Sequence, residues 1–177
     1  DVLDGSTLFL QLFTVSDGTL PTFIAFVSFL GPLLGIALGF DAINSERNNG
    51  TLVRLLAQPI PRDYVINAKF VAALFVVTVL FFLLGFLVMG LGIVITGIPP
   101  TPEEFWRIVF FLIASIVYVA FWLNLGILFS VRFRQAATSA LASIAVWLFF
   151  SVFYSMLVQL IVRATIPSAF QDQGQLI

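Results

Sequence analysis

Glu46 and Arg47, followed by Gly50-Thr51-Leu52 and Leu55-Leu56, are the residues of this 177-residue chain whose types and spacing come nearest to performing a task. The task they suit is docking and ion pairing, not covalent chemistry. Gly50 breaks the helix before it, Thr51 is placed to cap a new one, and Leu52, Leu55 and Leu56 fall at i, i+3 and i+4 on one face. Pro59 and Pro61 end the new helix, and Arg54 and Arg62 add positive charge beside it. So short a helix is marginal alone and needs a surface on which to bury its apolar face, either membrane or a partner. Each fully buried leucine contributes about 1.5–3 kcal/mol, so three together suffice for a docking contact.

The rest of the chain lacks the residues of catalysis. Cysteine and histidine are both absent, which removes disulfides, thiol nucleophiles, zinc clusters and imidazole acid-base chemistry. No catalytic residue, metal site or resident cofactor is expected, and no Gly-x-x-x-x-Gly-Lys-Ser/Thr phosphate loop is present. A net charge of −1 gives no bulk argument for nucleic-acid binding.

Composition identifies the solvent. Apolar residues make up 60% of the chain and charged residues 10%, with a mean hydropathy of +1.11. Too few charges remain to coat a globule of this length, so lipid must cover much of it. Four uncharged runs, at residues 20–40, 70–96, 108–131 and 135–162, each reach the roughly 20 residues that cross a hydrocarbon core. The expected architecture is an all-α polytopic bundle, one transmembrane domain over 1–177. Residues 1–19 form an outer interfacial segment or a membrane-proximal loop, and 163–177 an outer tail. Residues 41–69 form a loop with the short helix, 97–107 an outer loop and 132–134 an inner turn.

Six of the eight basic residues, Arg47, Arg54, Arg62, Lys69, Arg132 and Arg134, fall in the two loops at one end of these spans, which the positive-inside rule makes cytoplasmic. Both visible ends are then extracytoplasmic, which suggests a further helix before Asp1 and another after Ile177. No signal peptide is visible. At the outer side, Thr101-Pro102-Glu103-Glu104 reads as a capping box that opens the third span.

No Asp, Glu, Lys or Arg lies in the core of any span, so there is no intramembrane proton relay or charged filter, and the energy source must act elsewhere. Gly31, Gly35 and Gly39 make a smooth stripe on the first span, either for static packing or for a sliding or dimer face, and Pro32 beside it should introduce a kink. Ala136 and Ala140, with Ser139 and Ser143, repeat the theme on the fourth. Asn124 and Gln159 are the deepest polar side chains, either helix glue or lining of a substrate path.

Glu46-Arg47, Gly50-Thr51-Leu52, Leu55-Leu56, Gln58-Pro59, Arg62 and Ala68-Lys69-Phe70 resemble in spacing the loop of type-2 ABC exporter permeases, including the subgroup similar to the nitrous-oxide reductase maturation permease. More loosely, the resemblance runs through all four spans of the family's usual six. It implies a multi-pass protein of a prokaryotic cytoplasmic membrane, with a coupling helix around Gly50–Ala57 that docks on a separate ABC ATP-binding subunit carrying ATP and Mg. It also implies a second permease copy, identical or not, and transport outward. Glu46 and Arg47 would orient the coupling segment through ion pairs. A passive channel or membrane scaffold without ATP coupling is the rival expectation.

Overall fold

The structure, a computed structural model, describes residues 22–59 and 61–165. Among these residues it contains six helices and no strand: α1 (Phe23–Gly39), α2 (Asn44–Asn48), α3 (Thr51–Leu56), α4 (Arg62–Thr96), α5 (Pro102–Arg132) and α6 (Ala136–Thr165). The stretch Phe23–Asn48, of which α1 is the apolar part, and α4, α5 and α6 are long and apolar enough to cross a membrane, so the chain is an all-α, polytopic helical bundle. The expected segment 1–19, most of the tail 163–177 and the Arg62 side chain lie outside the described residues.

Helix boundaries follow local chemistry. Thr22 opens α1 by accepting a hydrogen bond from the Ala25 amide at 3.1 Å, and the helix continues through Pro32, which is fully buried. Gly97, at φ +70, closes α4 with its N–H on the Ile93 carbonyl at 2.8 Å, a left-handed stop that glycine takes at least cost. Thr101 opens α5, and its hydroxyl receives the Glu104 amide while the Glu104 carboxylate receives the Thr101 amide. This is the capping box read from the sequence. In the next turn Arg107 pairs with Glu103.

One boundary differs from the hydropathy reading. The second span belongs to a helix of 35 residues that starts at Arg62, directly after Pro61, and not near Phe70. At 1.5 Å per residue α4 is about 52 Å long, well beyond a hydrocarbon core of roughly 30 Å. Hydropathy sees only the part that lipid solvates; the first two turns, with Asp63 and Lys69, extend the helix into the loop 41–69.

The described residues form two compact units, one through Ser143 and one from Ile144. In the first, α1 packs along α5 and α4 packs on α5. The core is apolar: Val27, Val77, Phe81, Ile116 and Val119 form one cluster, and Ile108 and Leu112 another nearer the start of α5. The glycine stripe of α1 faces α5 of the same chain. A Cβ added to Gly35 would stand 2.7 Å from the Val119 carbonyl oxygen, and one on Gly39 would stand 2.6 Å from that of Leu123. Gly126 answers from α5, where a Cβ would lie 3.2 Å from the Gly39 Cα. Small residues let two backbones touch in this way, and at Gly35 and Gly39 the contact leaves no room for another side chain between α1 and α5. The second unit is the remainder of α6, in which Phe149 stacks on Phe153.

Candidate functional site: the loops at the basic end

α1, α4 and α5 bring one end of each helix to the same side, where Ser130 meets α2, Arg47 meets Phe133 and Lys69 meets Glu46. The chain leaves α1 through a tight turn, the Phe40 amide bonding the Ile36 carbonyl and the Ala42 amide that of Gly39. α2 follows at once. Its first amides have no partner within the helix, as at any helix start, and no side chain of its own segment caps them. Ser130, near the end of α5, supplies the cap: its hydroxyl accepts the Ile43 amide at 3.0 Å and the Asn44 amide at 3.2 Å.

The exchange is reciprocal. The last carbonyls of α5 and of the turn after it also lack helical partners. With its nitrogen turned toward them, the Asn44 amide donates to the Phe133 carbonyl at 3.0 Å and the Arg134 carbonyl at 3.2 Å. Arg47 donates to the Phe133 carbonyl at 3.4 Å. Ile43 is buried, and Asn44 and Ser130 are completely so. The expected ion pair of Arg47 is not formed among the described residues, since its guanidinium meets a carbonyl of the inner turn instead.

Glu46 does form one. Lys69 donates to its carboxylate at 2.7 Å, and the Thr51 hydroxyl contacts both the Glu46 carboxylate and, at 3.2 Å, the Glu46 carbonyl. Glu46 lies in the loop, outside the span of α1, and the bonds from Lys69 and Thr51 with the lysine charge hold its carboxyl below the usual carboxylate range. Thr51 is therefore not the cap that its position suggested. Gly50 is the cap residue, in the left-handed region at φ +71, and Thr51 turns back to clasp α2. A side chain that reaches backwards competes with capping forwards, and the carboxylate five residues away wins.

α3 carries no buried residue. Leu52 and Leu55 are half-buried, Leu56 is 39% exposed and Val53 is 74% exposed, so the three leucines do not share one environment. The outward apolar positions are Val53, Leu56 and Ala57, at i, i+3 and i+4, flanked by exposed Arg54, Gln58 and Pro59. The exposure of Val53 is not signalled by the leucine pattern; the signal that marks it is the same spacing taken one residue later. Ser130 and Asn44 were missed because nothing local marks a cap borrowed from 86 residues away.

Of the remaining candidates, Ala136 and Ala140 open α6 directly after the inner turn, while Asn124 and Gln159 lie further along their helices. Asn124 is exposed on α5, off the buried face of Trp122, Leu123, Gly126 and Ile127, and Gln159 is exposed on α6. Ala136 and Ala140 are half-buried beside Ser139 and Ser143, which are fully buried. Among the described residues no group of three or more His, Cys, Asp or Glu is placed to hold a metal ion.

Residues 2–176 match the family described as ABC-2 family transporter protein. Among curated proteins, the chain is 29% identical to a protein named probable ABC transporter permease protein NosY from Stutzerimonas stutzeri, over 85% of this chain and 55% of that one. It is 27% identical to a protein of the same name from Pseudomonas aeruginosa, over 81% of this chain and 52% of the relative. The chain thus spans about half the length of the curated relatives it matches.

Proposed function

The chain belongs to the ABC-2 transporter family, and on that footing we propose that it is part of a permease subunit whose α3 is the coupling helix, docking on a separate ATP-binding subunit that hydrolyses ATP. The basic end is then cytoplasmic, in keeping with the positive-inside rule. Transport is outward, through a pathway completed by a second permease copy.

One observation carries this reading. α3 is held at its start by Glu46 and Thr51 and turned by Gly50, while Val53 and Leu56 remain exposed on its outer face. A six-residue helix with no buried residue is not a unit of stability in itself. It makes physical sense as a held-out contact that gains its apolar burial from another protein. No charged residue lies in the hydrophobic core of any span, where one could harness an ion gradient, which fits work delivered from outside the membrane.

The test is ATP hydrolysis by the partner, measured with and without the full-length permease in lipid nanodiscs. Val53→Asp and Leu56→Asp should remove the stimulation while the protein still inserts. Leu55→Asp should remove it too, by disturbing the seating of α3. Stimulation equal to wild type in all three variants would refute the docking role.

A further inference from the structure

We infer that Ser130 is a positioning residue that makes α1, α2 and α5 a single moving body, so that a push on α3 reaches the membrane spans through the reciprocal cap between α2 and the end of α5. The role in coupling rests on the function proposed above; the mechanical unit does not.

Three observations build the unit. Ser130 is completely buried, and its hydroxyl accepts two backbone amides, of Ile43 and Asn44, that α2 leaves uncapped on its own account. Asn44, equally buried, faces the Phe133 and Arg134 carbonyls just after α5, and with its amide nitrogen turned toward them it donates to both. Further into the span, Gly35 and Gly39 meet the backbone of α5 so closely that no side chain fits between. Two helices held at two levels cannot tilt independently without breaking one of the contacts, and buried polar groups left without partners are costly.

The links to the flanking elements are of another kind. α3 joins this body through the Gly50 turn and the Thr51–Glu46 clasp, and α4 joins it at this end through the Lys69–Glu46 pair, whose side chains are 36% and 23% exposed. An ion pair open to water breaks and reforms readily. Motion transmitted from α3 therefore carries α1 and α5 together, with α4 joined to them deeper in the span by the apolar core around Val77 and Phe81.

These 177 residues contain no cysteine, so once any cysteine elsewhere in the full-length permease is replaced by serine, a pair of introduced ones labels cleanly. Asn48→Cys and Arg132→Cys, both exposed, place spin labels on α2 and at the end of α5. Their separation is measured in the full-length permease in nanodiscs, alone and with the ATP-binding subunit, before and after Mg-ATP. The expected result is one narrow distance that Mg-ATP does not change. Ser130→Ala should broaden it, with about a tenfold fall in the population that holds the two loops together, the scale set by orphaning a buried amide. Mg-ATP should then shift the α2 label against α5, although the amount of bound subunit is as before. Asn44→Leu removes the other half of the cap and should do the same, which keeps the test open where one variant fails to fold.

A wild-type distance that moves with Mg-ATP, or distributions in both variants as narrow as the parent's, would overturn the inference. Failure of the parent permease to bind the ATP-binding subunit would count against the proposed function instead, because the distance measured in the permease alone still decides whether Ser130 joins the loops.

Discussion

Lys69 Nζ lies 2.7 Å from Glu46 Oε1, which ties the first turns of α4 to α2 at the basic end of the spans. The tie also sets the sign of its own pH dependence. Lys69 and Thr51 lower the Glu46 carboxyl below its usual range in the folded protein, so the interaction is fully present above the ordinary carboxylate range and is lost as pH falls through the depressed folded value. Carboxyl NMR of the protein in nanodiscs should show Glu46 titrating below the ordinary range, and Lys69→Met should move its midpoint upward. An unchanged midpoint in Lys69→Met would mean that the pair does not persist in solution.

The α1–α5 contact predicts opposite outcomes for glycines of similar local sequence. Gly35→Val and Gly39→Val must force backbone apart and should destabilise the protein by about 1–3 kcal/mol or more. A Cβ at Gly90 of α4 meets nothing within 4 Å, so Gly90→Ala should be neutral or slightly stabilising by helix propensity. Thermal unfolding in one detergent compares the three; equal midpoints would show that the glycine stripe is not packed as described.

Gly50 isolates the effect of backbone conformation on α3. A Cβ there has open space but a φ of +71, so Gly50→Ala costs about 1 kcal/mol through conformation alone. Because the strain sits at the turn that aims α3, stimulation of the partner's ATP hydrolysis should fall more than thermal stability does. A proportional loss of both would indicate general destabilisation.

At the other end, Thr101→Ala should remove the capping box of α5 and lower stability by about 0.5–2 kcal/mol, while the affinity for the ATP-binding subunit stays that of the wild type. A changed affinity would mean that the two ends of α5 are coupled more tightly than the packing indicates.

Much of this was legible in the sequence, for identifiable reasons. The spans announce themselves because lipid admits no charges, and the capping box at Thr101–Glu104 and the stop at Gly50 are local events that residue types dictate. The extent of α4 was hidden because hydropathy reports solvation, not helicity, and Asp63 to Lys69 is helical in water. The outward positions of α3, Val53 and Leu56, were not legible, since a six-residue helix offers too few turns to fix which apolar positions face outward. Ser130 and Asn44 were invisible for a deeper reason: each satisfies backbone groups on a distant segment, and only the packing of α1 on α5 brings those segments together.

The most direct measurement is purification of the full-length protein from its native membrane with mass-spectrometric identification of what stays bound, in wild type and in Val53→Asp. The account predicts an ATP-binding subunit recovered with the wild type and lost from the variant. Recovery of the wild-type chain without such a subunit, under conditions that preserve other membrane complexes, would contradict it and favour a passive channel or scaffold.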